Sequence, residues 1–379
     1  MLNVDSVGAV MKMRIAQVCP RYHPYVGGVE THVRAVSERL VKKGLEIDVL
    51  TTDLNGDLVK EENIEGVKVR RFGCWAPSEA YYFSGSLKNF LAKHSNEYDI
   101  VHAHGYNAFP ALYAKQTKSE KAFVFTPHYL GKGQTFFRNL LHIPYRFIGK
   151  GIFNEADSVI CVSEYERLLV KEDFAVEEGK VLVIPNGVDK NELSEFQWKP
   201  NFSQPKITFS GRLERRQKNV DKLIYAFDLL VKEYNIDAKF VIIGRGPYEN
   251  EMVRLIERLG LQERLEWRRW LPRRQYLEEL ATSNVFVAPS EHECYGIAAA
   301  EAIALGIPTV VANSTALAEF VEKELAFSIS LPIIPSTIAK SIHKALIEAR
   351  PKQSVSPNAI MSWDVVADQL LEKVYKDYG

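Results

Sequence analysis

The sequence predicts an α/β protein of two parallel-sheet domains facing a central cleft. Three observations lead there. Short apolar runs recur at the length of buried parallel strands, helical patterns alternate with them as in βαβ units, and the rhythm halts in a polar stretch near 190–204 before starting again. With 379 residues, 46% of them hydrophobic, the chain is long enough for two separate cores.

In the first half, strands are expected at 15–18, 47–50, 100–103, 122–125, 158–162 and 181–184. A helical pattern over 31–43 ends at Gly44, a residue suited to a helix terminus. In the second half the strands are 207–210, 239–243, 265–267, 285–288 and 309–311, with a helix over 220–234. The expected division is an N-terminal domain 1–190, a C-terminal domain 205–360 and a terminal helix 361–379. That helix carries an apolar face of Val365, Val366, Leu370, Leu371, Val374 and Tyr375, which must pack on something.

The 48 basic and 48 acidic residues cancel, so no global field draws the chain to nucleic acid or to an anionic membrane. Cys19, Cys74, Cys161 and Cys294 lack the paired spacing of a zinc or redox site. The first ten residues have no export pattern, Met11 or Met13 is an alternative start, and no run approaches a membrane span. A reduced, cytoplasmic location is expected.

The strongest chemical segment runs from Ala288 through Glu293-Cys294-Tyr295-Gly296-Ile297 to Glu301-Ala302. It leaves a buried strand, crosses a loop and enters an Ala-rich helix. Helix amides starting near Gly296 suit a diphosphate, and Glu293 and Glu301 would bracket a polar ligand by accepting from its hydroxyls. A carboxylate among alanines is poorly placed for bulk water and needs a partner. Next comes Gly211-Arg212-Leu213 with Lys218, a cationic loop between strand and helix that can present charge to phosphate.

Gly27 and Gly28 join the first strand to the first helix, where backbone can approach a ligand closely. Gly244-Arg245-Gly246-Pro247 resembles half of a dinucleotide fingerprint, but Glu249 fills the third glycine's place, which excludes a dehydrogenase; Gly244 remains a pocket-lining candidate. Among nine histidines, His128 follows a buried strand and belongs at its carboxyl end. His102 and His104, alternating along their strand, are expected to face opposite ways.

Together these segments resemble the retaining glycosyltransferases of the GT-B fold, family 4 (group 1), whose two domains are Rossmann-like. The resemblance spans essentially the whole chain. It rests on the E-x7-E element at Glu293 and Glu301, on Arg212 with Lys218, on the Gly27-Gly28 loop, and on the stretches 156–163 and 184–189. It implies a nucleoside-diphosphate sugar as donor, without further cofactor. Glu301 would take the ribose hydroxyls, Glu293 the sugar hydroxyls, and Arg212 and Lys218 the diphosphate. His128 would stand near the reacting sugar, amides around Gly28, Gly296 and Ile297 would cradle phosphate, and Cys294, Tyr295, Gly244 and Leu271 would line the donor pocket.

No D-x-D pair occurs, so no metal is expected on the diphosphate. Relatives often carry a Lys-Gly pair where Lys218-Asn219 stands, and a glycine pair that 313–319 lacks. The segment 270–275 offers no carboxylate to guanine, which leans the base toward uracil. The acceptor is left open among glycan, lipid-linked and small-molecule hydroxyls. The basic, aromatic stretch 132–153 reads as a buried helix with a basic rim, with peripheral membrane association as its other reading. Rival functions are a silent nucleotide-sugar binder and a sugar-nucleotide epimerase or hydrolase.

Overall fold

A computed structural model describes residues 13–77, 81–116, 121–131, 136–348 and 359–378, with 136–144 described by backbone alone. The readings of the first ten residues, of Met11 and of Lys132 fall outside them. The chain divides into two compact units, Met1–Pro185 with Trp363–Gly379, and Asn186–Ser362.

The first unit holds an eight-stranded sheet: β1 (Arg14–Val18), β2 (Glu46–Asp53), β3 (Glu61–Ile64), β4 (Val67–Gly73), β5 (Ile100–His104), β6 (Ala122–Thr126), β7 (Ser158–Cys161) and β8 (Val181–Val183). Their order is β3-β4-β2-β1-β5-β6-β7-β8, parallel except for the β3/β4 pair. Every residue of β5 and β7 is buried, because helices cover both faces, and this is why those strands read as unbroken apolar runs. The helices are α1 (Gly28–Lys42), α2 (Gly85–His94), α3 (Phe109–Lys115), α4 (Phe136–Glu155) and α5 (Glu164–Phe174). Strand order reverses between β1 and β5, the place where sheets of this kind open a crevice at their carboxyl ends.

β3 and β4 were not anticipated. Their hairpin turns on Glu65 and Gly66, both at positive φ (50° and 86°) as a tight two-residue connection demands. The Glu-rich edge strand β3 has no apolar run to announce it.

The terminal helix Trp363–Lys373 belongs to this unit. Val366, Ala367 and Leu370 are buried, Arg39 Nε lies 3.2 Å from Asp364 Oδ1, and the Trp363 ring meets His32 at 5.8 Å. Each fully buried aliphatic side chain there stabilises the docking by about 1.5–3 kcal/mol. Val365, expected on the apolar face, is instead 42% exposed.

The second unit carries a parallel six-stranded sheet of β9 (Lys206–Ser210), β10 (Lys239–Ile243), β11 (Leu265–Arg268), β12 (Val285–Ala288), β13 (Thr309–Ala312) and β14 (Phe327–Ile329), in the order β11-β10-β9-β12-β13-β14. Its helices are α6 (Lys190–Ser194), α7 (Val220–Lys232), α8 (Glu249–Leu259), α9 (Arg273–Ala281), α10 (Ile297–Ala304), α11 (Ala318–Glu322) and α12 (Pro335–Glu348). The stretch 190–204 is not a free linker. Asp189 caps α6 by accepting from the Glu192 amide (3.0 Å), and Trp198 Nε1 donates to the Ser283 carbonyl (2.7 Å). The division therefore falls at Pro185/Asn186, earlier than the expected 190–205.

In α4, Tyr145, Ile152 and Phe153 are core residues, while Phe147 and Ile148 are exposed. Among the described residues no helix is long and apolar enough to cross a membrane.

Candidate active site

Two loops at the carboxyl ends of neighbouring strands form the centre of the second unit. One joins β9 to α7 and the other β12 to α10. Asn219 Nδ2 donates to the Pro289 carbonyl (2.9 Å), Gln217 Nε2 to the His292 carbonyl (3.0 Å), and the Glu291 amide to the Gln217 carbonyl (2.8 Å). Lys218 forms an ion pair with Glu293, and each side chain is less than a fifth exposed. Asn219 adopts φ 52° at the start of α7. Asparagine tolerates that left-handed conformation.

Gly296 precedes α10 at φ 98°, and a Cβ there would stand 2.6 Å from Leu317 Cδ2. Only glycine suits both demands. No side chain caps α10, so its first amides keep their partial positive charge, and Ile297 lies in that first turn. Cys294 is half-buried and lies outside any disulfide. Tyr295 turns inward, its ring 5.5 Å from Phe320, and burial pushes its hydroxyl pKa up; only its backbone is left for a ligand.

Glu301 is 8% exposed and has partners that the sequence did not disclose. Arg273 Nη1 donates to Oε1 (2.6 Å) and Tyr276 OH to Oε2 (3.1 Å). Arg273 also bonds Glu192 at 2.8–2.9 Å. Burial opposes its charge, but the two carboxylates more than offset it and raise its pKa. These partners lie 28 and 81 residues from Arg273 in sequence, so no local spacing reveals them. A ribose at Glu301 would share that carboxylate with Arg273 and Tyr276.

Arg212 is half-exposed, with Nε 2.9 Å from Glu214 Oε1. Leu271 is half-buried beside the exposed Trp270. Gly244 has a packing role: at φ 144°, a Cβ there would overlap the Gly211 carbonyl oxygen. Its own carbonyl accepts from Trp267 Nε1 (3.0 Å). Gly244→Ala is therefore expected to destabilise the second unit by roughly 3 kcal/mol, since backbone must move. Chemical denaturation measures this, and an unchanged midpoint would refute the packing role.

The remaining candidates lie in the first unit. Gly27 and Gly28 open α1. A Cβ on Gly27 would overlap the Glu30 carboxylate, which is itself bonded by Arg21 Nε at 2.8 Å. The helix start expected to meet phosphate thus already has an acidic neighbour. His128 sits after β6 at φ 48°, and its pKa is held well below the ordinary value by burial and then by His32 and His102.

His102 and His104 do not face opposite ways. Their rings stack at 4.3 Å, because residues two apart on a strand share a face. Glu166, which the sequence reading passed over, is buried and fastens this region. Its carboxylate accepts from the amides of Tyr129 (2.5 Å) and Val162 (2.7 Å).

Residues 26–192 match Glycosyltransferase Family 4, and residues 190–360 match Glycosyl transferases group 1. An uncharacterised glycosyltransferase of Methanocaldococcus jannaschii is 28% identical over 96% of this chain and 98% of its own length. Among solved structures, sucrose-phosphate synthase of Thermosynechococcus elongatus superposes with a TM-score of 0.79 at 19% identity, covering 97% of this chain and 99% of its own. Anabaena HepE in complex with UDP-glucose gives 0.75 at 16%, covering 96% and 100%. Both likenesses are of fold, the GT-B arrangement of two parallel-sheet domains. With its two matched segments meeting at residues 190–192 and together spanning 26–360, the chain belongs to the family 4, group 1 glycosyltransferases.

Proposed function

We propose that this glycosyltransferase moves a hexose from a UDP-sugar to an acceptor hydroxyl with retention of anomeric configuration and without a metal on the diphosphate. The observation that carries the donor reading is the junction of the two loops. Lys218, Glu293 and the uncapped start of α10 converge where strands β9 and β12 end. As the nucleoside diphosphate leaves the anomeric carbon, negative charge grows on its oxygens. Arg212, Lys218 and the α10 amides would stabilise it there, which is the kind of donor worth about 3–4 kcal/mol each. Glu293 would receive the sugar hydroxyls and Glu301 the ribose, with His128 beside the reacting sugar. The leaving phosphate oxygen would take the acceptor's proton on the same face. UDP rather than GDP is favoured by the lack of a carboxylate in 270–275; in addition, HepE of like fold was crystallised with UDP-glucose.

Incubation with UDP-, GDP- and ADP-sugars, with and without candidate acceptor glycans and lipids, tests this reading. Acceptor-dependent release of UDP and an α-linked product from an α-linked donor is the expected result. Binding without turnover would indicate a silent binder. A new sugar nucleotide or free sugar would indicate an epimerase or hydrolase. An inverted product, or a trapped glycosyl-enzyme, would overturn the same-face route.

A further inference from the structure

We infer that His32, His104 and His128 form a three-imidazole site for a divalent transition-metal ion of the zinc class. His32 projects from α1, His104 ends β5 and His128 follows β6, so the three meet where the strand order of the first sheet reverses. Their potential ligand nitrogens all lie within 4.8 Å of one another. The ring centroids are 5.4 Å apart for His32 and His104, 5.3 Å for His32 and His128, and 5.9 Å for His104 and His128. A zinc–nitrogen bond of about 2.0–2.1 Å places each ring centre about 3.2 Å from the ion, so tetrahedral ligands have centres about 5.2 Å apart. Nitrogens on one tetrahedral ion lie about 3.3 Å apart, so the rings must turn to draw in nitrogens that now lie within 4.8 Å of one another.

The hydrogen bonds fix which nitrogen of His104 is free. His104 Nε2 faces Gln17 Oε1 at 2.7 Å and must donate its proton there. Gln17 Nε2 donates to Tyr375 OH (3.2 Å), and that hydroxyl donates to His102 Nδ1 (2.6 Å). His102 Nε2 then donates to Thr126 Oγ1 (2.8 Å). Every donor in this chain has one acceptor, so His104 Nδ1 is left bearing a lone pair, and it has no hydrogen-bond partner although it is buried. His128 Nε2 is buried and unpartnered too. Unsatisfied buried nitrogens call for an explanation, and an oriented, neutral imidazole held by a carbonyl oxygen is how proteins prepare a metal ligand. Burial keeps His104 and His128 uncharged, as ligation requires.

Three protein ligands leave a fourth position for water. The ion would hold His128 by Nε2, so that nitrogen would not contact the sugar directly. Arg212 and Lys218 serve the diphosphate without it. The site is read without nucleotide, so its failure and the failure of the donor reading are separate results.

Tag-free protein freed of metal with a chelator and titrated with Co2+ should take up one equivalent. An intense visible band typical of tetrahedral cobalt should appear, and Zn2+ should displace it. His104→Gln and His32→Asn should each weaken binding at least 100-fold, and Gln17→Leu roughly 10- to 100-fold as a lost supporting contact. Absence of saturable one-to-one binding overturns the assignment, as does binding that these variants leave unchanged. If the variants do not fold, zinc-edge fine structure on the wild-type protein decides. Three imidazoles around the ion support the site, and any other ligand set overturns it.

Discussion

Lys218→Ala should lower kcat by about 10²–10³ while changing the donor KM less, the signature of a contact that strengthens as the leaving group becomes charged. The structure gives Lys218 two relations at once. It is tied to Glu293 across the junction of the loops, and it follows Gln217, whose backbone and side chain both bond the facing loop. The ammonium is thereby held in position before any donor arrives, so little reorganisation is needed when charge develops.

Removing it also leaves the Glu293 carboxylate without its cation. Both groups keep about a fifth of their exposure, which limits the loss of stability to roughly 1–2 kcal/mol. A structural defect and a chemical one can be told apart by the donor used. A sugar bearing a less basic leaving group needs less help in departing, so it should narrow the deficit of the variant. An equal deficit with every leaving group would point to a structural defect, and a raised KM at unchanged kcat would show that Lys218 only binds the ground state.

What the sequence made legible follows from how local each signal is. The strands β9, β10 and β12 are buried on both faces and end in short loops, so their apolar runs and the residues just beyond them, Arg212, Lys218 and Glu293, can be read along the chain. The need of Glu301 for a partner could be argued from its alanine surroundings, but Arg273, Tyr276 and Glu192 could not be named. They reach it from α9 and α6, and only the folded packing of those helices brings them together.

Gly244 and Tyr295 have packing neighbours that the sequence does not show, for a related reason. A glycine or tyrosine beside a pocket motif reads the same whether it meets a ligand or the neighbouring loop, and here Gly244 meets Gly211 while Tyr295 meets Phe320. The β3/β4 hairpin gives no apolar run, because β3 is exposed apart from Ile64 and β4 alternates buried Val67, Val69 and Arg71 with less buried residues. Its turn at Glu65-Gly66 was the available clue. The stacking of His102 on His104 follows from the two-residue period of a strand, which puts both side chains on one face.

Glu166 had a signal as well, in Ser163-x-x-Glu166, the pattern of a helix start in which a serine side chain and a glutamate satisfy backbone amides. Ser163 Oγ does accept from the Glu166 amide at 3.1 Å. The glutamate carboxylate, however, reaches past the helix to Val162 and Tyr129. It thus ties the loop that carries His128 to the end of β7. Burial lifts its pKa to about 8, against the pull of the two amide bonds.

Because that value lies above the roughly 4.3 of an unfolded glutamate, the native state holds the proton more tightly. The stability contributed by Glu166 is full below about pH 4 and is lost as pH rises to about 8, by about 1.4 kcal/mol per unit. Glu166→Gln keeps one acceptor, leaves one buried amide unpaired at a cost of about 1–3 kcal/mol, and does not titrate. Urea denaturation from pH 5 to 8.5 should therefore find the wild type ahead at the acid end, with the gap closing as pH rises. A gap that stays constant would mean that the carboxylate is ionised throughout, its two amide bonds outweighing burial, and that the loop bearing His128 is held by charge at every pH where the enzyme works.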